Sequence, residues 1–191
     1  MNIICYLSNG FSQEKTLENA ARYIKGHCDI IEIDLPTDNP FLDNPLIQER
    51  MQTSFKQDPT LETQASTILK IREQHPSKKL LLLCYEHTVK HYGVQRFIQL
   101  AQTVCPEAVI LVGAQSTALQ HLLIENQVKV ASYIPFHLPE SEIQAARRAN
   151  GFIYLQATPT GQVREGCDTL KKVIAYLRER GFTQPIYGGM G

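Results

Sequence analysis

Two acidic residues lie inside an otherwise apolar segment, where carboxyl groups could act on a bound substrate. Residues 28–35 read Cys-Asp-Ile-Ile-Glu-Ile-Asp-Leu, which is typical of a buried strand apart from its acids. Side chains alternate between the two faces of a strand, so Glu32 and Asp34 share one face while Ile31 and Ile33 share the other. We expect the apolar face to pack on helices and the two acids to point into the interior.

Two interpretations of this acidic face are open. A carboxyl group whose pKa is raised by burial can act as both acid and base near neutral pH. Because two neighbouring acids rarely both ionise in a low dielectric, Glu32 and Asp34 would then titrate with one pKa raised. Alternatively, the acids pair with cations at a sheet edge, which is a purely structural role that avoids the cost of an unpartnered buried charge.

Metal and redox chemistry find little support in the sequence. His87 and His91 are four residues apart but have no nearby third ligand, so a surface role is favoured over a metal site. The five cysteines, at positions 5, 28, 84, 105 and 167, form no Cys-x-x-Cys motif. Their odd number and scatter indicate neither a disulfide framework nor a zinc site.

The overall composition narrows the classes of partner. The 191 residues contain 19 Lys and Arg against 19 Asp and Glu, for a formal net charge of 0. This balance argues against nucleic acid or a membrane surface as a partner. No apolar run approaches the roughly 18 residues needed to span a bilayer, and the N-terminus lacks the pattern of a signal peptide. We expect a cytoplasmic protein.

Short apolar runs alternate with amphipathic stretches along the whole chain. The strand-like runs are 2–7, 28–35, 79–85, 107–112, 128–134, 151–156 and 185–188. The helical patterns are 13–25, 61–74, 90–104, 115–125, 139–149 and 167–180. Near-continuous apolar strands separated by helices predict a parallel sheet covered by those helices.

The repeat predicts a single α/β domain over residues 1–191, with seven β units. Seven units fit either a TIM-type (β/α) barrel or a doubly wound sheet. The first strand is followed by Ser8-Asn9-Gly10 rather than a Gly-x-Gly-x-x-Gly motif, which disfavours a dinucleotide site. A complete eight-stranded barrel needs about 250 residues, so a barrel here is expected to be incomplete at its C-terminus.

The segment from Glu32 to Gln48 resembles the α subunit of tryptophan synthase, the indole-3-glycerol-phosphate lyase. The positions that match the motif of this family are Glu32, Pro36, Pro40, Asp43, Pro45, Ile47 and Gln48. The similarity continues through residues 82–85 and 151–155. It also covers Thr160-Gly161, which fits a mobile loop, and Gly189-Met190-Gly191, which fits a Gly-Phe-Gly. The resemblance favours the TIM-type barrel.

The resemblance also implies an activity, the retro-aldol cleavage of indole-3-glycerol phosphate to indole and glyceraldehyde 3-phosphate. The catalytic glutamate of the family falls on Glu32, which would protonate indole C3, and the catalytic aspartate falls on Asp43, which would stabilise the cation at the indole N–H. No metal or organic cofactor is implied. Glycine backbone N–H groups would hold the phosphate.

The implied substrate-binding residues are spread over the strands and loops. They are Cys5, Ile47, Leu83, Tyr133, Tyr154, Thr160, Gly161, Gly189 and Gly191. For Tyr133, a plain core role competes with a role in the pocket. The implied partners are a phosphorylated small molecule and either a tryptophan synthase β-like subunit or a second copy that covers the open sheet edges.

Some positions depart from the family pattern and keep alternatives open. The family has glycine where this chain has Asp34, and an Asp-x-Pro where this chain has Gly113-Ala114-Gln115. The alternatives are a diverged, non-catalytic homologue that binds a small ligand or partner subunit, and a lyase for a different substrate. Two acids that point into a pocket beside a glycine-lined anion site would favour the lyase.

Overall fold

The computed structural model of the protein describes residues 3–10, 12–113, 117–159 and 161–189. Within these residues the chain forms seven strands in one parallel sheet, whose order along the sheet is their order along the chain. The strands are β1 Ile4–Leu7, β2 Ile30–Asp34, β3 Lys79–Tyr85, β4 Ala108–Val112, β5 Val130–Ile134, β6 Ile153–Gln156 and β7 Ile186–Gly189. Each of the seven apolar runs of the sequence coincides with one of them, and β7 extends one residue beyond its run.

Helices connect the strands throughout. They are α1 Gln13–Lys25, α2 Pro45–Gln57, α3 Leu61–Gln74, α4 Glu86–Tyr92, α5 Val94–Val104, α6 Thr117–Glu125, α7 Glu140–Arg148 and α8 Leu170–Glu179. A sequential all-parallel order with covering helices is the arrangement of a (β/α) barrel. The sheet is a curled half-barrel, which confirms the predicted fold class and excludes the doubly wound alternative.

Two helical features differ from the periodicity of the sequence. The predicted helix 90–104 is divided into α4 and α5 at Gly93, whose φ of 91° is a left-handed conformation that glycine adopts without strain. Helix α2 has no counterpart among the predicted helices. Its start is set by Asn44, whose side chain accepts hydrogen bonds from the N–H groups of Leu46 and Ile47, followed by proline at the first helical position.

The two faces of the sheet have different surroundings. Ile31 and Ile33 belong to the core between the sheet and the helices, together with Leu82. Ile30, Leu81 and other side chains of the opposite face form a separate cluster inside the curl of the sheet. The predicted division of β2 is therefore confirmed, and Glu32 lies on the interior face.

The sheet is open within the described residues. There β1 pairs with β2 alone and β7 pairs with β6 alone. The side chains of β2 and β4 are all buried, whereas those of β7 are all partly or largely exposed. None of the helices described is long and apolar enough to cross a membrane.

We expect Leu82→Ala to lower the free energy of unfolding by about 2–5 kcal/mol, because the Leu82 side chain is 0 % exposed and its removal leaves a cavity in the helix-facing core. Urea denaturation followed by circular dichroism measures this loss. Leu46→Ala is the matched control, since Leu46 is 56 % exposed and its loss should change stability by less than about 0.5 kcal/mol. Equal effects of the two substitutions would contradict the assignment of this core.

Candidate active site

A cavity of about 340 Å³ lies inside the curl of the sheet. Its apolar lining consists of Ile4, Leu42, Ile47, Leu83, Ile110 and Val112. Four tyrosines (Tyr6, Tyr85, Tyr133 and Tyr154), two carboxyl groups (Glu32 and Asp43) and two glycines (Gly188 and Gly189) complete the lining. A largely apolar cavity with a few convergent polar groups is the usual form of a small-molecule site.

Glu32 is fixed by its place in the middle of β2. Its neighbours on the interior face are Tyr6 of β1 and Leu81 of β3, with which it is in register. The residue is 3 % exposed. Burial raises the pKa of Glu32 to about 7, a rise that the hydrogen bond with Tyr154 opposes and the charges of Asp43 and Asp34 reinforce. Glu32 therefore has the proton affinity of a group that can give and take protons near neutral pH.

Glycine at position 189 allows Tyr154 to reach Glu32. A Cβ atom at Gly189 would collide with the Tyr154 hydroxyl group. The hydroxyl instead sits close to the backbone of β7 and hydrogen-bonds to Glu32 across the interior. Tyr133 packs beside Tyr154, with ring centroids 6.2 Å apart.

Asp43 enters the cavity from the loop between β2 and α2. The Tyr85 hydroxyl donates a hydrogen bond to Asp43 Oδ2 at 2.6 Å and accepts one from the N–H of Leu42 at 3.1 Å. The Gln48 side chain donates to the Asp43 carbonyl at 2.7 Å. Burial raises the pKa of Asp43, and the hydrogen bond from Tyr85 opposes the rise. These contacts place the carboxyl group beside the apolar wall.

Phe41 packs the same loop against the end of the sheet. Its ring packs on Tyr85 with centroids 5.3 Å apart. Gly113 leaves room for it, because a Cβ atom there would come within 2.8 Å of the Phe41 ring. Gly113 therefore leaves the space that the loop carrying Asp43 needs at the end of β4.

Asp34 lies on the same face as Glu32 but is absent from the cavity lining. It is 0 % exposed, and its carboxylate accepts hydrogen bonds from the Tyr6 hydroxyl group and from the N–H of Asn9 at 2.8 Å. Burial raises the pKa of Asp34 to about 7, and both donors oppose the rise. Burial thus acts on both acids of β2, whereas the sequence predicted one raised pKa.

The structural alternative for the acidic face required cations. Within the described ranges, the ion pairs of the protein involve neither Glu32 nor Asp34. The same part of the chain contains no group of three or more His, Cys, Asp or Glu residues that could hold a metal ion. His87 instead contacts the Thr37 hydroxyl group at 2.7 Å, at the base of the loop that carries Asp43.

The structure brings most of the predicted substrate-binding residues together. Those that line the cavity are Ile47, Leu83, Tyr133, Tyr154 and Gly189. Cys5 lies elsewhere, because its side chain is on the other face of β1 and packs against the helix-facing core. Gly161 follows β6 and is not among the lining residues. Thr160 and Gly191 lie outside the described residues.

Sequence reasoning missed Tyr6 and Tyr85 as cavity residues. The alternation of side chains along a strand was the available signal, since Tyr6 is the register partner of Glu32 and Tyr85 lies two residues beyond Leu83 on β3. That alternation gives the face of each tyrosine. It does not give the hydroxyl contacts. Tyr6 reaches Asp34, two positions along β2 from its register partner Glu32, and the contact of Tyr85 with Asp43 depends on where the loop after β2 returns.

Glu32 should make stability depend on pH. Its raised pKa means that the folded protein binds this proton more tightly, so its contribution to stability falls as pH rises from about 4.5 to about 7. Glu32→Gln removes that loss. The difference in the free energy of unfolding, variant minus wild type, should therefore increase by about 3 kcal/mol between pH 4 and pH 8.

Urea denaturation at a series of pH values measures this difference. Glu49→Gln is the matched control, because Glu49 is exposed on α2 and its removal should leave the pH dependence of the wild type unchanged. Parallel stability curves for Glu32→Gln and the wild type would contradict a buried, proton-binding Glu32.

Comparison with known proteins gives a consistent result. The family described as "Tryptophan synthase alpha chain" matches residues 1–191. The tryptophan synthase alpha chain of Alkaliphilus metalliredigens is 27% identical over 196 residues, which cover 99% of this chain and 73% of the relative. That of Aquifex aeolicus is 22% identical over 197 residues, which cover 99% of this chain and 75% of the relative.

Solved structures share the fold. The tryptophan synthase a2b2 complex of Pyrococcus furiosus contains a chain that matches with a TM-score of 0.78 and 20% identity, over 100% of this chain and 78% of that one. A chain of Mycobacterium tuberculosis tryptophan synthase matches with a TM-score of 0.80 and 15% identity, over 100% of this chain and 74% of that one. The solved structures share the barrel architecture of this chain. Because the family matches residues 1–191, this chain belongs to the tryptophan synthase alpha chain family.

Proposed function

We propose that the protein is a lyase that cleaves indole-3-glycerol phosphate to indole and glyceraldehyde 3-phosphate. The observation that carries this proposal is that Glu32 and Asp43 line one mostly apolar cavity, with Glu32 buried and raised in pKa to about 7. An apolar cavity suits the indole ring, and two carboxyl groups suit a reaction that moves protons without a redox step. Membership of the family supports the same reaction.

Glu32 carries the proton transfers in this proposal. Its carboxyl group protonates C3 of the indole ring, and the hydroxyl group on the adjacent glycerol carbon loses a proton. The bond between C3 and that carbon then breaks: its electron pair returns to the indole ring, and the oxygen forms the carbonyl group of the aldehyde. One proton is added and one is removed, so the ionised Glu32 can recover its proton from the hydroxyl group and the reaction balances.

Asp43 stabilises the charge that develops on the ring. Protonation at C3 places positive charge on the indole nitrogen, and a carboxylate directed at the N–H lowers the energy of that cation. Tyr85 holds Asp43 in position through the 2.6 Å hydrogen bond. The phosphate group is proposed to lie against glycine backbone N–H groups. Gly189 lines the cavity, and Gly161 and Gly191 are the further candidates that the sequence offers.

The proposed macromolecular partner is a tryptophan synthase β subunit. Beside Asp43 an apolar surface is exposed at the edge of the cavity, formed by Phe41, Leu42 and Leu46, which are 49 %, 47 % and 56 % exposed. The Pyrococcus furiosus relative is part of an a2b2 complex with mutual activation. A partner on this surface would contact the loop that carries Asp43, which provides a direct route from association to catalysis.

We expect the purified protein to release indole from indole-3-glycerol phosphate. Glu32→Gln should lower kcat by about 10²–10⁴-fold, as removal of a general acid–base group does. Asp43→Asn should lower it by about 10²–10³-fold, as loss of an electrostatic stabiliser does. A colorimetric assay for indole measures both effects, and Glu49→Gln on the surface of α2 is the control.

Two outcomes of that assay would contradict the proposal. Activity that survives both site substitutions would remove Glu32 and Asp43 from the mechanism. Failure of the folded wild type to release indole, with and without a β subunit, would favour a non-catalytic binding protein or a lyase for another substrate.

Association with the β subunit of the same organism should depend on Leu46. We expect Leu46→Ser to weaken binding about tenfold, which corresponds to about 1.4 kcal/mol, because an exposed leucine of an interface core loses its apolar contact. Isothermal titration calorimetry measures this change. Ile3→Ser is the matched control, since Ile3 is 51 % exposed before the start of β1. Equal affinities of the two variants would place the partner elsewhere.

A further inference from the structure

We propose that Asp34, which accepts hydrogen bonds from the Tyr6 hydroxyl group and the Asn9 N–H, ionises before Glu32 and thereby keeps Glu32 in its protonated, proton-donating form. This inference deepens the proposed function and rests on it for its catalytic meaning. It makes Asp34 a positioning residue, since Asp34 is absent from the cavity lining and acts through its neighbours. The placement of the proton is a property of the resting protein and can be measured without turnover.

The two acids of β2 differ in the number of hydrogen bonds that they accept. Asp34 accepts one hydrogen bond from the side chain of Tyr6 and one from the backbone of Asn9, at 2.8 Å. Hydrogen bonds to the charged form of a carboxyl group favour that form. Glu32 has one such donor, the hydroxyl group of Tyr154. Of the two buried acids, Asp34 is therefore better prepared to hold the negative charge.

The two acids also differ in the charges that face them from the surrounding elements. Asp34 is influenced by the positive charge of Arg50 on α2, which lowers its pKa, and by the negative charge of Asp43, which raises it. Glu32 faces Asp43 and Asp34, and both raise its pKa. The described tyrosines whose pKa these charges raise are Tyr6 and Tyr92 for Asp34, and Tyr154 for Glu32. Within the part of the chain that the structure describes, a cation acts on Asp34 and not on Glu32.

The two carboxyl groups lie on one face of β2 and share a low-dielectric interior. Glu32 and Asp34 are 3 % and 0 % exposed, so water screens their repulsion poorly. When Asp34 takes the first negative charge, Glu32 keeps its proton to higher pH. The cavity therefore presents the acid form of Glu32, which is the form that can protonate the indole ring.

The loop after β1 holds the hydrogen-bond donors of Asp34 in place. Tyr6 lines the cavity in register with Glu32, while its hydroxyl group lies on Asp34. Asn9 is 0 % exposed and also donates from its side chain to the carbonyl group of Gln64 on α3 at 3.1 Å. The loop after β1 is thus tied to both β2 and α3. This fixes the N–H that Asp34 accepts, so the negative charge has a rigid site.

Carbon-13 NMR of protein labelled at the side-chain carboxyl groups of Asp and Glu tests the inference. Glu32→Gln and Asp34→Asn assign the two resonances. In the wild type we expect Asp34 to ionise at lower pH than Glu32. In Asp34→Asn the midpoint of Glu32 should fall by about one pH unit, the scale at which two interacting carboxyl groups titrate as a pair, because a negative charge that raises its pKa is removed.

Tyr6→Phe is a second variant that keeps both carboxyl groups. Removal of the hydroxyl donor should raise the midpoint of Asp34 by about one pH unit, in line with a hydrogen bond to a charged group, and lower that of Glu32. Asp29→Asn and Tyr23→Phe are the matched controls, because Asp29 is exposed ahead of β2 and Tyr23 lies on α1 outside the lining of the cavity. Both controls should leave the midpoint of Glu32 unchanged.

Two results would overturn the inference. One is a wild-type titration in which Glu32 ionises before Asp34. The other is an unchanged Glu32 midpoint in both Asp34→Asn and Tyr6→Phe, with the fold of each variant confirmed by its amide spectrum. Neither result depends on turnover, so a protein that releases no indole refutes the proposed function and leaves this test intact.

In an active protein, the pH profile provides a readout that a merely structural role would not move. Asp34→Asn should shift the high-pH limb of kcat down by the same one pH unit. At a pH above both limbs this is about a tenfold loss of kcat, with KM changed little. A uniform loss at every pH would contradict the inference.

Discussion

The site depends on a carboxyl group that is held in the interior of a parallel sheet and that, among the described residues, takes part in no ion pair. Glu32 stands in the middle of β2, 3 % exposed, between strands whose interior side chains are mostly apolar. Desolvation of a full charge at such a place is costly, and the protein lowers that cost by leaving a proton on the group near neutral pH. The acid chemistry proposed for the site is a direct consequence of this burial.

Tyrosine hydroxyl groups provide the hydrogen bonds that these buried carboxyl groups need. Each acid at the site has one as a hydrogen-bonding partner: Tyr154 for Glu32, Tyr85 for Asp43 and Tyr6 for Asp34. A hydroxyl group satisfies an acceptor without supplying an opposite charge, so the pKa of each carboxyl stays raised. An arginine or lysine in the same place would have held the acid ionised and unable to donate a proton.

The sheet was predictable because its signal is local. Alternation along β2 and the run of seven apolar segments required only the sequence, and the seven-stranded parallel sheet and the interior face of Glu32 were confirmed. The choice of a barrel over a doubly wound order came from the family resemblance. Helix α2 was missed because its start depends on the cap at Asn44 rather than on apolar periodicity. The contact between Tyr85 and Asp43 joins residues 42 positions apart, and such pairs depend on how the loops fold back, which periodicity does not describe.

Tyr6 and Asp34 are best understood as one unit, because each satisfies the hydrogen-bonding group of the other. A buried carboxylate without donors would be strongly destabilising, and a buried tyrosine hydroxyl group without an acceptor would also lose stability. Together they satisfy each other, with the Asn9 N–H as the second donor. Because Asp34 adds negative charge beside Glu32 while staying out of the cavity lining, the pair can alter the proton affinity of the site and leave the space for a ligand unchanged.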